Sequence, residues 1–149
     1  MNILGEKTND WNMVPIGCDL YNGISGIMLF YLFLYLETKK TDYLIYLKKC
    51  YRSLKYYLDS RKQFANHSQV LFGGFSGETP IIYVLLLLKT RMAEHFNSDE
   101  LDVYIYDIID DLKKGYRNDE NFDVLVGSAG AIIHLLNVFE VTRDEALLI

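Results

Sequence analysis

Cysteine and histidine are scarce in this chain, and their spacing does not match a metal site. Of 149 residues, two are cysteines, Cys18 and Cys50, and three are histidines. The two cysteines lie far apart and show none of the short spacings that zinc ligands have in sequence. We therefore expect two reduced thiols, as in a cytoplasmic protein, and no metal site in this chain.

Positive charge and long apolar runs are also lacking. The 15 Lys and Arg residues are outnumbered by 20 Asp and Glu, which leaves a formal charge of −5 and an isoelectric point of about 5.1. With no basic stripe, nucleic acid is excluded as an expected partner. The longest apolar run, residues 27–36, is too short to span a bilayer. Glu6, Lys7 and Asp10 interrupt the first residues, so no signal peptide is recognised and a cytoplasmic location is expected.

Three segments of the sequence share one layout, in which a polar approach to a glycine is followed by an apolar run. The first glycines are Gly23, Gly77 and Gly127, so the steps are 77 − 23 = 54 and 127 − 77 = 50 residues. Repetition near fifty residues predicts an array of similar helical or strand units. Pro80 begins the apolar run of the middle copy, and proline is tolerated in a first helical turn, which predicts a helix start there.

Apolar and amphipathic segments alternate along the chain. Residues 25–37, 81–88 and 129–140 are apolar on nearly every side, which predicts three helices that are buried all round. Residues 43–58 and 101–116 place apolar side chains at three-to-four spacing opposite charged ones, which predicts half-exposed helices.

This alternation predicts an all-α fold, a partial α/α toroid of about two and a half helical-hairpin repeats. The repeats are expected near residues 19–60, 73–117 and 123–149, in one truncated domain spanning residues 1–149. Residues 1–18 lack periodicity and are expected to be an irregular lead-in, and residues 61–69 a polar loop. An inner ring of buried helices inside an outer ring of half-exposed ones would produce this pattern.

Two aspartates and a histidine are the candidate functional residues. Asp19 and Asp123 each lie four residues before the first glycine of their copies, where a carboxylate can accept backbone N–H bonds and build a turn. Alternatively, Asp123 lies on the rim of a central cavity and acts as a general acid or base. His134 lies in the third apolar segment, and we interpret it as a core residue rather than a ligand. Motifs for phosphate binding, dinucleotide binding or a nucleophilic serine are missing.

The glycine segments resemble those of the lanthionine synthetase C-like cyclases. The resemblance is carried by residues 20–27, residues 74–77 and the segment Asp-Val-Leu-Val-Gly-Ser-Ala-Gly-Ala at 123–131. The lead-in with Trp11 and Pro15 is most similar to the cyclase half of bacterial class II lanthipeptide synthetases.

The resemblance implies an α/α toroid around a zinc ion that activates a precursor-peptide cysteine. The thiolate then adds to a dehydroalanine or dehydrobutyrine and closes a thioether ring. The family's zinc ligands, two Cys and one His, and its active-site His lie in later repeats, and Cys18 and Cys50 do not match them. Of the family's active-site positions only one carries over, onto Asp123. No cofactor is therefore expected in this chain itself, although the full-length family uses zinc.

We accordingly expect a fragment of a cyclase domain that is inactive alone, with the precursor peptide and the missing remainder of the domain as partners. Uncovered apolar surface is expected to cause self-association. The alternative is a non-catalytic helical module that binds peptides. A carbohydrate-active α/α toroid is disfavoured because no second acid is placed with Asp123.

Overall fold

The structure, a computed structural model, describes residues 2–4, 12–61, 72–118 and 120–147. Within them lie two strands, five α-helices and two short 3-10 helices. The strands β1 (Asn2–Leu4) and β2 (Asn12–Val14) pair antiparallel. The helices are α1 (Ile24–Thr38), α2 (Thr41–Arg61), α3 (Thr79–Arg91), α4 (Ser98–Gly115) and α5 (Ser128–Thr142), with 3-10 helices at Tyr116–Asn118 and Glu145–Leu147. The predicted all-α class is confirmed, and no helix in the described ranges combines the length and apolarity needed to cross a bilayer.

The N-terminal segment is more regular than predicted. Instead of an irregular lead-in, β1 and β2 form a two-stranded sheet in which Asn2 faces Val14 and Leu4 faces Asn12. Three-residue strands are too short to show the alternation from which strands are recognised in sequence.

The five helices form two layers. In the inner layer α3 lies between α1 and α5, while α2 packs on α1 and α4 packs on α3. Side-chain hydrogen bonds join the C-terminal half of α2 to α4, with Tyr51 Oη donating to Glu100 Oε1 at 2.6 Å and Tyr104 Oη donating to Asp59 Oδ1 at 2.5 Å. The residue numbers of the bonded pairs increase together in both helices, so α2 and α4 run parallel. This arrangement is the alternation of inner and outer helices that the sequence predicts.

Of the five α-helices in the described ranges, only α3, the central inner helix, is buried on every side. In α3 most residues from Thr79 to Leu88 are buried. The prediction that all three apolar helices are buried all round is wrong for α1 and α5. Each buries one face and exposes an apolar face, because among the described residues each has an inner-layer neighbour on one side only. The exposed apolar side chains include Ile27, Phe30 and Phe33 on α1 and Ile132, Ile133 and Leu136 on α5.

Helices α1 and α5 are close structural repeats. Each contains 15 residues and begins after an N-cap glycine with φ near −115° and ψ −178°. Each ends at a residue in the left-handed region, Lys39 with φ 56° and Arg143 with φ 58°. Each C-terminal threonine, Thr38 or Thr142, hydrogen-bonds the carbonyl oxygen four residues earlier. The two helices therefore correspond residue by residue from beginning to end.

The end of α2 differs from the sequence-based expectation, and the start of α4 is fixed by a side-chain cap. Arg61, which was assigned to a polar loop, is the last residue of α2, and the rest of that predicted loop, residues 62–69, lies outside the described residues. Asn97 caps α4 by accepting hydrogen bonds from the amides of Asp99 and Glu100.

Candidate functional site

Three glycine loops lie side by side at one end of the inner layer. We call them loop 1 (residues 17–23), loop 2 (72–78) and loop 3 (121–127), and each leads directly into an inner helix. Backbone hydrogen bonds join the three loops in series. The N-termini of α1, α3 and α5 therefore meet at one rim.

The bonds between the loops follow a repeated pattern. The amides of Leu20 and Tyr21 donate to the carbonyl oxygen of Phe75 at 3.0 and 3.1 Å. The amides of Phe75 and Ser76 donate in turn to the carbonyl oxygen of Leu125 at 3.2 and 3.1 Å. Counted from the N-cap of the following helix, the donors hold the same two positions in loops 1 and 2. The loops thus form a ladder in which each donates to the next.

The N-caps of the inner helices define the repeat. In the middle copy the N-cap lies one residue after the glycine from which the repeat was counted in sequence. The N-caps are Gly23, Glu78 and Gly127, so the steps are 78 − 23 = 55 and 127 − 78 = 49 residues. Gly77 instead has a φ of 88°, which favours glycine at the end of loop 2. Pro80 lies in the first turn of α3, as predicted, and the N-cap is Glu78.

Gly130 is required by the close approach of α5 to loop 2. A Cβ atom at this position would lie well under 3.0 Å from the backbone nitrogen of Gly74 and the carbonyl oxygen of Val124. Both are backbone atoms, which cannot rotate away as the end of a side chain can. Position 130 therefore requires glycine, because α5 contacts both loop 2 and loop 3 there and leaves no space for a side chain.

Asp19 and Asp123 have equivalent structural roles. Oδ1 of Asp123 accepts hydrogen bonds from the amides of Leu125 at 2.6 Å and Val126 at 2.9 Å. Oδ1 of Asp19 accepts one from the amide of Asn22 at 2.9 Å. Both carboxylates build the turn that leads to the N-cap glycine. Asp123 is nevertheless exposed at the rim, where a substrate could reach it.

His134 fastens α5 to loop 2. Its Nε2 lies 2.9 Å from the carbonyl oxygen of Gly74, and because a carbonyl only accepts, Nε2 carries the proton. The side chain is 5% exposed, and Nδ1 has no hydrogen-bond partner among the described residues. Burial lowers the pKa of His134, and the bond to Gly74 opposes this only in part. The prediction that His134 is a core residue is confirmed.

The free energy of unfolding is expected to decrease as the pH falls below about 7.5 and through about 6.5, the ordinary pKa of histidine in an unfolded chain. Because the pKa of His134 is lower in the folded state than in the unfolded chain, the unfolded chain takes up this proton first. The stability contribution is therefore complete above the unfolded pKa and is lost as the pH falls toward the folded one. Urea denaturation at several pH values measures the slope.

His134→Gln should flatten this slope, since a glutamine amide can still donate to Gly74 but does not titrate. His95→Gln is the matched control and should leave the contribution of His134 in place. An unchanged slope in His134→Gln would assign the pH dependence to another group.

Comparison with known proteins decides which family forms these loops. A family model described as lanthionine synthetase C-like protein matches residues 14–149. The chain belongs to the lanthionine synthetase C-like family. Searches of curated proteins and of solved structures gave no match.

Members of the lanthionine synthetase C-like family are zinc-dependent, but the side chains of the described residues do not form a zinc site. Across residues 12–61, 72–118 and 120–147, no three His, Cys, Asp or Glu side chains are grouped closely enough to hold a metal. Burial, with the charges of Glu78 and Asp19, raises the pKa of Cys18 to about 12. Burial also raises the pKa of Cys50. Zinc binds thiolates rather than thiols, so these side chains do not fit the metal.

The other histidines do not change this conclusion. His95 Nε2 lies 3.1 Å from Tyr35 Oη, at a contact between α1 and the turn that follows α3. His67 lies outside the described residues.

An ion-pair cluster next to loop 2 was not anticipated from the sequence. Arg61 at the end of α2 pairs with Glu78 at 2.6 Å and also with Asp111 of α4, and Tyr57 Oη donates to Glu78. The cluster ties both outer helices to the start of α3. Glu78 precedes Thr79-Pro80 at a helix start, and this was the one signal in the sequence, since acidic residues favour helix N-termini.

Proposed function

We propose that this chain is one arc of the cyclase domain of a lanthipeptide synthetase of the class II type, acting in the cytoplasm on a precursor peptide. The domain forms lanthionine and methyllanthionine rings, in which a cysteine thiol adds to a dehydrated serine or threonine. The zinc that the family uses is held by residues in other repeats. The chain alone is therefore inactive, and the repeats that complete the ring are its partners.

The observation that carries this proposal is the uneven burial of the inner layer. The middle helix α3 is covered on both sides, whereas α1 and α5 each present an apolar face to solvent. An exposed face of this kind marks an interaction site. Neighbouring repeats on both sides would give α1 and α5 the surroundings that α3 has. The same exposed faces lead the isolated chain to self-associate.

The rim formed by the loops suits a peptide. Exposed apolar side chains occur in all three loops, namely Tyr21, Phe75, Phe122 and Leu125. Aromatic and aliphatic side chains of this kind contact extended peptides at binding surfaces. This observation also favours the alternative, a helical module that binds peptides without chemistry.

Asp123 is proposed as the general acid or base of this arc. It is exposed at the rim, and Oδ1 alone accepts the two hydrogen bonds of the turn. Asparagine at this position would keep the Oδ1 acceptor and lose the proton-transferring carboxylate. The substitution therefore separates the turn from the chemistry.

The test is a cyclisation assay of the chain alone and together with the zinc-bearing repeats of a class II cyclase. Ring closure adds a thiol across a double bond without a change in mass, so it is followed as loss of thiol available to an alkylating reagent. We expect no protection of the peptide thiol and no bound zinc with the chain alone, and protection with the complementing repeats. Cyclisation and stoichiometric zinc in the isolated chain would contradict the assignment of the zinc site to other repeats.

In the complemented assay, Asp123→Asn should lower the cyclisation rate about 100-fold, which is a typical loss for a general acid or base. Asp19→Asn, which changes the equivalent turn of loop 1, is the control and should retain the rate. Equal cyclisation rates in both variants would show that Asp123 builds the turn but does not act as a general acid or base. Peptide binding without cyclisation in any combination would favour the binding module.

A further inference from the structure

Corresponding positions on the three inner helices differ in burial according to which neighbours are present. The positions four and seven residues after the N-cap are Ala131 and His134 on α5 and Ile82 and Leu85 on α3, and all four are buried. Their counterparts on α1 are exposed, Ile27 at 39% and Phe30 at 60%. In the described part of the chain α5 and α3 each follow another inner helix, whereas α1 follows none.

The opposite pattern holds on the other side of each helix. The positions six and nine residues after the N-cap are Leu29 and Leu32 on α1, which are half-buried and buried. Val84 and Leu87 on α3 are likewise buried and half-buried.

On α5 the same two positions, Ile133 and Leu136, are 46% and 47% exposed. Here α1 and α3 each precede another inner helix in the described ranges, and α5 precedes none. The exposed face of α5 thus corresponds to a face that is covered on α1, and the exposed face of α1 corresponds to one that is covered on α5.

The loop ladder has the same direction. Loop 1 donates to loop 2, and loop 2 donates to loop 3 through equivalent amides. A further α1 placed beside α5 would bring its own loop 1 next to loop 3 and continue the series. The exposed faces of α1 and α5 and the hydrogen bonds between the loops therefore predict the same orientation for a copy placed beside α5.

We propose that the chain self-associates head to tail, with the α5 face of one copy docked on the α1 face of the next, as α3 docks on α1 and α5 on α3 within a copy. This inference rests on the proposed function, in which the chain is an open arc of a helical ring. The contact joins two different faces, so it is heterologous and leaves one free face at each end of a pair.

Blocked faces test the proposal in solution. Phe30→Glu removes the α1 face and Ile133→Glu removes the α5 face, because a charge buried against apolar side chains is costly. The wild-type chain should associate reversibly at micromolar concentrations, as measured by light scattering coupled to size exclusion. Each variant alone should associate at least ~30-fold more weakly. An equimolar mixture should form a 1:1 heterodimer that goes no further, because each copy retains one intact, complementary face.

Every other outcome overturns the proposal. A monomeric wild-type chain would show that the proposed interaction does not form. Loss of association in only one variant would indicate a symmetric contact in which the substituted face packs against the same face of a second copy. Monomers in the mixture, or association in both single variants, would place the contact elsewhere. Tyr56→Glu on the exposed side of α2 is the matched control and should associate like the wild type. Ile27→Lys and Leu136→Lys repeat the test if far-UV circular dichroism shows altered folding.

The two proposals fail separately. A monomeric chain that still supports cyclisation with complementing repeats would end the head-to-tail inference and leave the cyclase function. Head-to-tail pairs without cyclisation in the complemented assay would support the head-to-tail inference and contradict the cyclase function.

Discussion

Replacing Gly130 by alanine should lower the free energy of unfolding by about 3 kcal/mol or more. The added methyl group would meet the backbone of Gly74 on one side and of Val124 on the other. Relief would require moving α5 away from loop 2, which would also break the hydrogen bond from His134 to Gly74. Alanine is the better helix former by about 1 kcal/mol, so a measured loss means that the steric term exceeds this gain.

Gly17→Ala is the matched control for Gly130→Ala. A Cβ atom at Gly17 would have its nearest neighbours at 3.8 and 3.9 Å, both of them side-chain atoms. We expect a change within about 0.5 kcal/mol. Urea denaturation followed by far-UV circular dichroism measures both variants, at one protein concentration because association shifts apparent stability. Similar effects of the two substitutions would show that loop 2 and α5 are not as tightly packed as the structure has them.

Arg61→Met should destabilise the fold by about 3 kcal/mol, which is the low end for breaking a buried ion pair. The Arg61 side chain is 9% exposed and pairs with Glu78 and Asp111, and it also lies 3.3 Å from the carbonyl oxygen of Asp107. Methionine retains the apolar length of the side chain but leaves Glu78 without its cation, while Asp111 keeps only its ion pair with Lys114 at 3.5 Å. Both carboxylates are partly exposed, so water compensates for some of the loss.

The control is Lys55→Met, which breaks the ion pair between Lys55 and Glu100. Both of those side chains are about one third exposed, and exposed pairs contribute about 0–1 kcal/mol. We expect the Arg61 variant to lose several times as much stability as the Lys55 variant in the same denaturation experiment. Equal losses would mean that the cluster at the start of α3 is no stronger than a surface ion pair.

The order of the helices, and which of them are amphipathic, could be predicted because these properties depend on local patterns. The stripe of apolar residues in α2 and α4 and the continuous apolar segments of α1, α3 and α5 are periodicities that a helix imposes directly on sequence. The same is true of Pro80, which marks a helix start through its own covalent geometry. The core position of His134 was inferred correctly from its apolar surroundings in sequence.

The candidate site was less predictable. Asp123 and the glycines of the segment 123–131 were recognised together, but the sequence could not distinguish a carboxylate that builds a turn from one that transfers a proton. Both roles place an acidic residue before a helix N-terminus. Hydrogen-bond geometry shows the turn, and only an activity measurement can test the chemistry.

By itself, the sequence determined that the chain is helical, that apolar helices alternate with amphipathic ones, and that glycine segments repeat near every fifty residues. These properties arise from the spacing of side chains along one helix. Tertiary structure alone decided that α3 is covered on both sides while α1 and α5 are not, and that Arg61 joins Glu78 and Asp111. Burial and ion pairing depend on which neighbours a helix has. The sequence of an apolar segment is the same whether those neighbours are present or absent, so it cannot show how much of the helix is covered.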